Sequence, residues 1–143
     1  MGRHRRDPAR PLRTGGGDMN DPFQDACSVQ RRAAALGFDW PREDGLPAEL
    51  WDKLAEEIDE LRRAVHEGPG RTHDELGDLL FMVVNLARHL ELDCATALAH
   101  ANAKFNARLD YVLQHADELP PVGDPARLEA MDELWSDAKR RGL

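Results

Sequence analysis

The chain has 143 residues, a formal net charge of −8, 41% hydrophobic residues and 32% charged ones. That length is ordinarily one domain with a real core, and the acidic balance argues against a nucleic-acid binder, which needs a basic stripe. No apolar run is long enough for a membrane span, and the Arg-rich N-terminus lacks the apolar stretch of a secretory signal, so the cytoplasm is the expected compartment.

Residues 1–20 combine Arg, Pro and a Gly triplet with almost nothing apolar. They read as a disordered tail ahead of a domain over 21–143. A first helix is expected from Phe23 to Leu36, stopped by Gly37. Phe38-Asp39-Trp40-Pro41 through Gly45 reads as a loop with two aromatics. A second helix begins near Pro47, which suits a first turn, and ends before Gly68-Pro69-Gly70. A third is expected after Thr72, reaching Leu90. A fourth follows an Asp93 cap and runs from Cys94 to near Ala116. After the break at Pro120-Pro121, a last helix follows Asp124-Pro125 and reaches Lys139. No stretch shows strand alternation, so the fold class is all-α, an antiparallel helical bundle. Cys27 and Cys94 form no CxxC pair and are read as free thiols in a reducing compartment.

Two acidic pairs carry the chemistry. Glu57-Ile58-Asp59-Glu60 and Glu75-Leu76-Gly77-Asp78 each contain carboxylates at i, i+3, one turn apart on one helix face. On helix two the expected core stripe is Leu50, Leu54, Ile58, Leu61 and Val65. Lys53, Glu57, Glu60 and Ala64 flank it, while Glu56, Asp59, Arg63 and Glu67 point to water. On helix three Glu75, Asp78, Met82, Asn85 and His89 form a largely polar stripe on an otherwise apolar helix, so Asp78 is expected to be buried and to need a partner. On helix four Leu98, Ala101, Phe105, Leu109 and Val112 form the expected core face, with Lys104 and Arg108 on its flank.

Each feature also has an ordinary reading. Thr72-His73-Asp74-Glu75 matches a capping box, in which Glu75 reaches back to the Thr72 N–H. Lys53 is an i+4 partner for Glu57. Lys104 and Arg108 are charges of a kind common on any surface. A divalent cation explains the four acids together. Carboxylates about 5 Å apart repel by roughly 3 kcal/mol per pair at an effective dielectric near 20, so a cluster of four persists only around cations. Oxygen ligands suit Mg²⁺, Mn²⁺ or Ca²⁺ rather than Zn²⁺. Mg²⁺ shares its open positions with substrate phosphates and activates water. Lys53, Lys104 and Arg108 supply the positive charge that a polyphosphate needs. The residues by themselves lead to a carboxylate–Mg²⁺ hydrolase acting on a phosphate ester or anhydride through metal-activated water.

The pattern Glu57-x-x-Glu60, spacer, Glu75-x-x-Asp78-Leu-Leu-Phe resembles the signature of MazG-type nucleoside triphosphate pyrophosphohydrolases. Gly37-Phe38-Asp39-Trp40-Pro41, Val84-Asn85-Leu86-Ala87-Arg88-His89-Leu90, Ala101-Asn102-x-Lys104-Phe105 and Met131-Asp132-Glu133-Leu134-Trp135 extend the likeness over about residues 27–139. The resemblance implies an all-α NTP pyrophosphatase fold completed as a homodimer. It implies Mg²⁺-dependent hydrolysis, with Mn²⁺ as a substitute, to a nucleoside monophosphate and pyrophosphate. Clearance of non-canonical nucleotides is the role it suggests. Glu57, Glu60, Glu75 and Asp78 would hold the metal. Lys53, Glu56, Arg71, Asp74 and Asp78 match nucleotide-contacting positions, as do Asn102, Lys104, Arg108 and Trp135. The chain departs from the long form of the family, which has two such domains; it carries one, most like the C-terminal one. The Gly68-Pro69-Gly70 spacer is also short. Two other readings stand beside this one: the same chemistry on a narrower substrate such as phosphoribosyl-ATP, dUTP or dCTP, or a non-catalytic helical module that binds nucleotide or metal.

Overall fold

A computed structural model describes residues 21–41 and 45–143; the expected tail over 1–20 and the middle of the loop at 42–44 lie outside them. Among the described residues the chain is all-helical: α1 Pro22–Ala35, α2 Ala48–Ala64, α3 Pro69–His89, α4 Cys94–Gln114 and α5 Ala126–Arg140, with a single 3₁₀ turn at Ala116–Glu118. No described helix is long and apolar enough to cross a membrane.

Local chemistry accounts for the helix ends. The Asp21 carboxylate accepts from the Phe23 N–H at the start of α1. Gly37, at φ 84°, closes α1; the Phe38 and Gly37 N–H groups donate to the Ala33 and Ala34 carbonyls, a Schellman ending that needs a left-handed residue. Asp93 caps α4 through the Thr96 N–H at 2.8 Å, as expected. The start of α3 differs from expectation. It begins at Pro69, with Gly68 as its cap, so Thr72 lies inside the helix. The Thr72 hydroxyl donates to the Ala64 and Gly68 carbonyls, tying α3 to the end of α2. Glu75 makes no capping box. Pro69 needs no N–H partner, which suits it to open the helix four residues early.

The helices pack as two groups. α2 and α3, joined by the short turn after Val65, form an antiparallel hairpin, and α1 lies on α3. α4 and α5 form a second hairpin, which meets α3 sparsely. Among the described residues the buried hydrophobic side chains are few: Leu50, Ala64, Met82, Val84, Val112 and Ala138.

Two expected core faces are corrected. On α2 the buried positions are Leu50, Glu57 and Ala64, while Ile58 and Val65 are exposed. The stripe is rotated because α2 turns its small residue and its carboxylate, rather than its bulkiest aliphatics, towards α3. On α4 Val112 is buried and Leu109 half-buried, but Leu98, Ala101 and Phe105 are exposed, since α5 covers only the later part of the helix.

Candidate active site

The acids on α2 and α3 face one another across the hairpin. The wholly buried Ala64 lets the helices approach, and Thr72 fixes their register by bonding to the Ala64 and Gly68 carbonyls. Glu57 and Glu75 are then buried at 6% and 5% exposure, and Glu60 is half-buried beside them. One carboxylate oxygen from each of Glu57, Glu60 and Glu75 falls within 4.8 Å of the other two. Glu56 and Asp59 face solvent, as helical phase requires.

Two cations accompany the carboxylates. Lys53 Nζ lies 2.9 Å from Glu57 Oε1 and 3.3 Å from Glu56 Oε2. The Glu57 carboxylate, then that of Glu56, holds the Lys53 ammonium above its ordinary pKa. An Arg71 guanidinium nitrogen lies 2.6 Å from Glu75 Oε1, and its Nε lies 3.2 Å from Glu67. The second oxygen of Glu57, Oε2, is buried without a hydrogen-bond partner among the described residues. An anionic oxygen so placed is costly unless a cation meets it. The three-carboxylate set and this orphaned oxygen therefore fit a hard divalent cation, which oxygen donors favour.

Asp78 departs from expectation. It is exposed, one turn beyond Glu75, and lies outside the set of three. The helix that carries it is buried along one side, not nearly all round as expected. Its polar stripe, Glu75, Met82, Asn85 and the His89 side chain, is inside, whereas Leu76, Leu80, Phe81 and Val83 are exposed.

The remaining expected contacts divide by element. Lys53, Glu56, Arg71 and Asp74 surround the acids on α2 and α3; Asp74 is exposed. Asn102, Lys104, Arg108 and Trp135 sit on α4 and α5. There Phe105 packs on Trp135 with centroids 4.8 Å apart, and the Arg108 guanidinium lies 5.9 Å from the Trp135 ring. Arg108 Nε donates to the Leu143 carbonyl at 2.8 Å. Among the described residues no hydrogen bond or ion pair joins this group to the carboxylates.

A second polar cluster, on the last turns of α3, was only half anticipated. Arg88 grips Asp39 with two bonds of 2.9 and 2.7 Å and donates to Asn85 at 2.7 Å. Gln30, buried on α1, donates to the Phe81 carbonyl at 3.0 Å. The bond from Arg88 holds the Asp39 carboxyl below its ordinary pKa. The cluster floors a cleft of about 570 Å³ walled by Phe38, Trp40, Pro41 and Phe81. Asn85 and His89 were legible as a polar stripe. Arg88, the residue before His89, was the available signal for a partner on the loop.

Residues 47–113, from the start of α2 nearly to the end of α4, match the MazG nucleotide pyrophosphohydrolase domain. The chain carries a MazG-family domain. The chain is 35% identical over 127 residues to the nucleoside triphosphate pyrophosphohydrolase/pyrophosphatase MazG of Thermotoga maritima, covering 86% of this chain and 47% of that protein. It is 37% identical over 120 residues to the nucleoside triphosphate pyrophosphohydrolase of Escherichia coli, covering 82% and 44%. An uncharacterised Bacillus subtilis protein, YabN, is 40% identical over 65 residues, 46% of this chain and 13% of its own length. The chain thus spans about half the length of the first two relatives. The MazG match contains all four acids of the expected signature, both cations that pair with them, and Lys104 and Arg108; α1 and Trp135 lie outside it.

Proposed function

We propose that this MazG domain hydrolyses nucleoside triphosphates to a nucleoside monophosphate and pyrophosphate, in the cytoplasm, with Mg²⁺ held by Glu57, Glu60, Glu75 and Asp78. The observation that carries the reading is the buried set of Glu57, Glu60 and Glu75, with one orphaned oxygen, between two cationic side chains. The names of the Thermotoga and Escherichia relatives support the reaction class. When bound, Mg²⁺ supplies Lewis acidity to activate water and to neutralise the leaving pyrophosphate.

The chain's own residues supply position and charge. Glu57 and Glu75 are fixed by packing of the hairpin, so the oxygens they present need little reorganisation. Asp78 is exposed one turn beyond Glu75 and outside the buried set, and in this reading its carboxylate would turn towards the bound metal. Lys53 and Arg71 stand at the two ends of the carboxylates, where the phosphates of a triphosphate would lie. Lys104, Arg108 and Trp135 are on the other hairpin of the same chain. A second copy of the chain would bring the equivalent group to the acids while covering the apolar outside of α3, which is why a homodimer belongs to this reading.

The purified protein with Mg²⁺ and a panel of nucleoside and deoxynucleoside triphosphates tests it. Pyrophosphate and the monophosphate are expected in equal amounts. Release from none of the panel would sink the reading, and nucleotide binding without turnover would indicate a non-catalytic module. The relative kcat/KM values across the panel identify a narrower substrate such as dUTP or dCTP.

A further inference from the structure

Lys53 and Arg71 differ from the other surface cations on α2 and α3 in what they hold. Arg62 and Arg63 bond outward, to the exposed Asp59 side chain and to its carbonyl. Lys53 and Arg71 are themselves partly exposed, at 34% and 56%, yet each reaches inward to a carboxylate that is almost wholly buried. Each takes one oxygen, Oε1 of Glu57 and Oε1 of Glu75. The oxygen left over on Glu57, nine-tenths buried and without a partner among the described residues, points to a ligand that the two side chains do not replace.

We propose that Lys53 and Arg71 are exchangeable counter-ions. They neutralise Glu57 and Glu75 while the metal is absent, and they transfer to the phosphates when metal and polyphosphate arrive together. Each is anchored outside the buried set by a second acid, Glu56 for Lys53 and Glu67 for Arg71, so either head can leave without losing all its pairing. The long flexible stems allow the movement. A divalent ion entering alone must displace both heads into water with no new partner. Entering with a triphosphate, it gives them oxygens to bind. Metal and nucleotide affinities are therefore coupled, and by linkage each raises the other equally. The domain stays sparsely loaded with metal until its polyanion is present.

The inference rests on phosphate binding at this site, but it has a readout that needs no turnover. Mn²⁺ is titrated calorimetrically into the metal-free full chain, wild type and Lys53→Met, Arg71→Met and the double variant, without nucleotide. Each single variant is expected to bind Mn²⁺ about fivefold more tightly, because a partly exposed competing pair is gone. Binding of a non-hydrolysable α,β-methylene nucleoside triphosphate at saturating Mn²⁺ should instead weaken about tenfold, since a charge-assisted bond to phosphate is lost. The opposite signs are the signature. Loss of both affinities means that the side chains merely support the fold, and overturns the proposal. An unchanged Mn²⁺ affinity overturns it as well. Arg62→Gln removes a nearby charge that faces outward; if it tightens Mn²⁺ as much as Lys53→Met does, the effect is general electrostatics and the exchange is refuted. Pyrophosphate release by the wild type judges the proposed reaction separately, so the two ideas fail independently.

Discussion

Glu57 shows what a single buried carboxylate demands. One of its oxygens has Lys53 and the other has no donor among the described residues. In Glu57→Gln the charge is gone and the amide can sit in the same space, so the metal-free protein should melt within a few degrees of wild type. The difference should appear with metal. A ligand at 100 times its Kd stabilises the native state by about 2.7 kcal/mol, so Mg²⁺ or Mn²⁺ should raise the wild-type Tm and leave that of Glu57→Gln unmoved. An equal rise in both proteins would remove Glu57 from the ligand set. Asp78 makes the converse case. Because it is exposed, Asp78→Asn should change stability by no more than about 0.5 kcal/mol. If it completes the metal site, kcat should drop by at least about 100-fold, as for loss of one electrostatic stabiliser. Full activity in Asp78→Asn would confine the site to the three glutamates. The carboxylate spacing made this group legible in the sequence, because i, i+3 positions on a helix share a face whatever the fold. Burial was not legible in the same way. The apolar run after Asp78 suggested a buried helix, but periodicity cannot say whether the same chain or another surface covers the apolar side.

Among the elements, the segment that follows the Gly37 cap of α1 is tied to α3 by side chains. The Asp39–Arg88 bonds join the loop to α3, and Arg88 also binds Asn85 one turn back. Arg88→Met should cost about 1–3 kcal/mol, because it strips Asp39 of its charged partner in a place where the carboxylate is mostly covered. The pH dependence follows from the same pair. Asp39 has a folded pKa below its ordinary 3.8. Its contribution is therefore fully present above about pH 4 and is lost as the pH falls through the depressed folded value. Arg88→Met should flatten that acid limb of a Tm-versus-pH curve. An unchanged limb would assign the acid lability to other carboxylates. Asp137 is one such group. The Tyr111 hydroxyl, then Arg141, hold it at about 2, so its share is lost between pH 3.8 and about 2. The ends of α1 and α4 were readable because Gly37 and Asp93 act on their immediate neighbours. The start of α3 was not, because Thr72 has two possible uses. Cap and helix-interior bond employ the same hydroxyl, and the nearby Ala64 carbonyl, eight residues back, decided between them.

At the scale of the whole molecule, α3 buries Glu75 and Asn85 along with Met82 and Val84, and leaves several of its large apolar side chains exposed. Leu76, Leu80 and Phe81 are 43–45% exposed, and Leu98 and Phe105 on α4 stand at 50% and 56%. Leu76 and Leu80 lie one turn apart on α3, and exposed large apolar side chains grouped on one helix mark an interaction site more often than a solvent face. In the proposed reading the occupant is a second copy, which would bring Lys104, Arg108 and Trp135 on a hairpin that, among the described residues, does not bond to the acids of its own chain. The separation of these residues from the carboxylates could not be read from sequence, where both groups fall on helices of one apparent bundle. The test uses a single position on the apolar side of α3. Leu80→Glu places a charge in the proposed contact while leaving Glu57, Glu60 and Glu75 untouched. Analytical ultracentrifugation at micromolar concentration should give a dimer for the wild type and a monomer for Leu80→Glu. The monomer should keep a Mn²⁺ site, because the three glutamates lie within one hairpin. It should lose nearly all pyrophosphate release, because the basic and aromatic group of the other copy no longer reaches the substrate. A monomer that retains full turnover would show that α4 and α5 reach the acids of their own chain by moving, and the dimer would then have no part in the site.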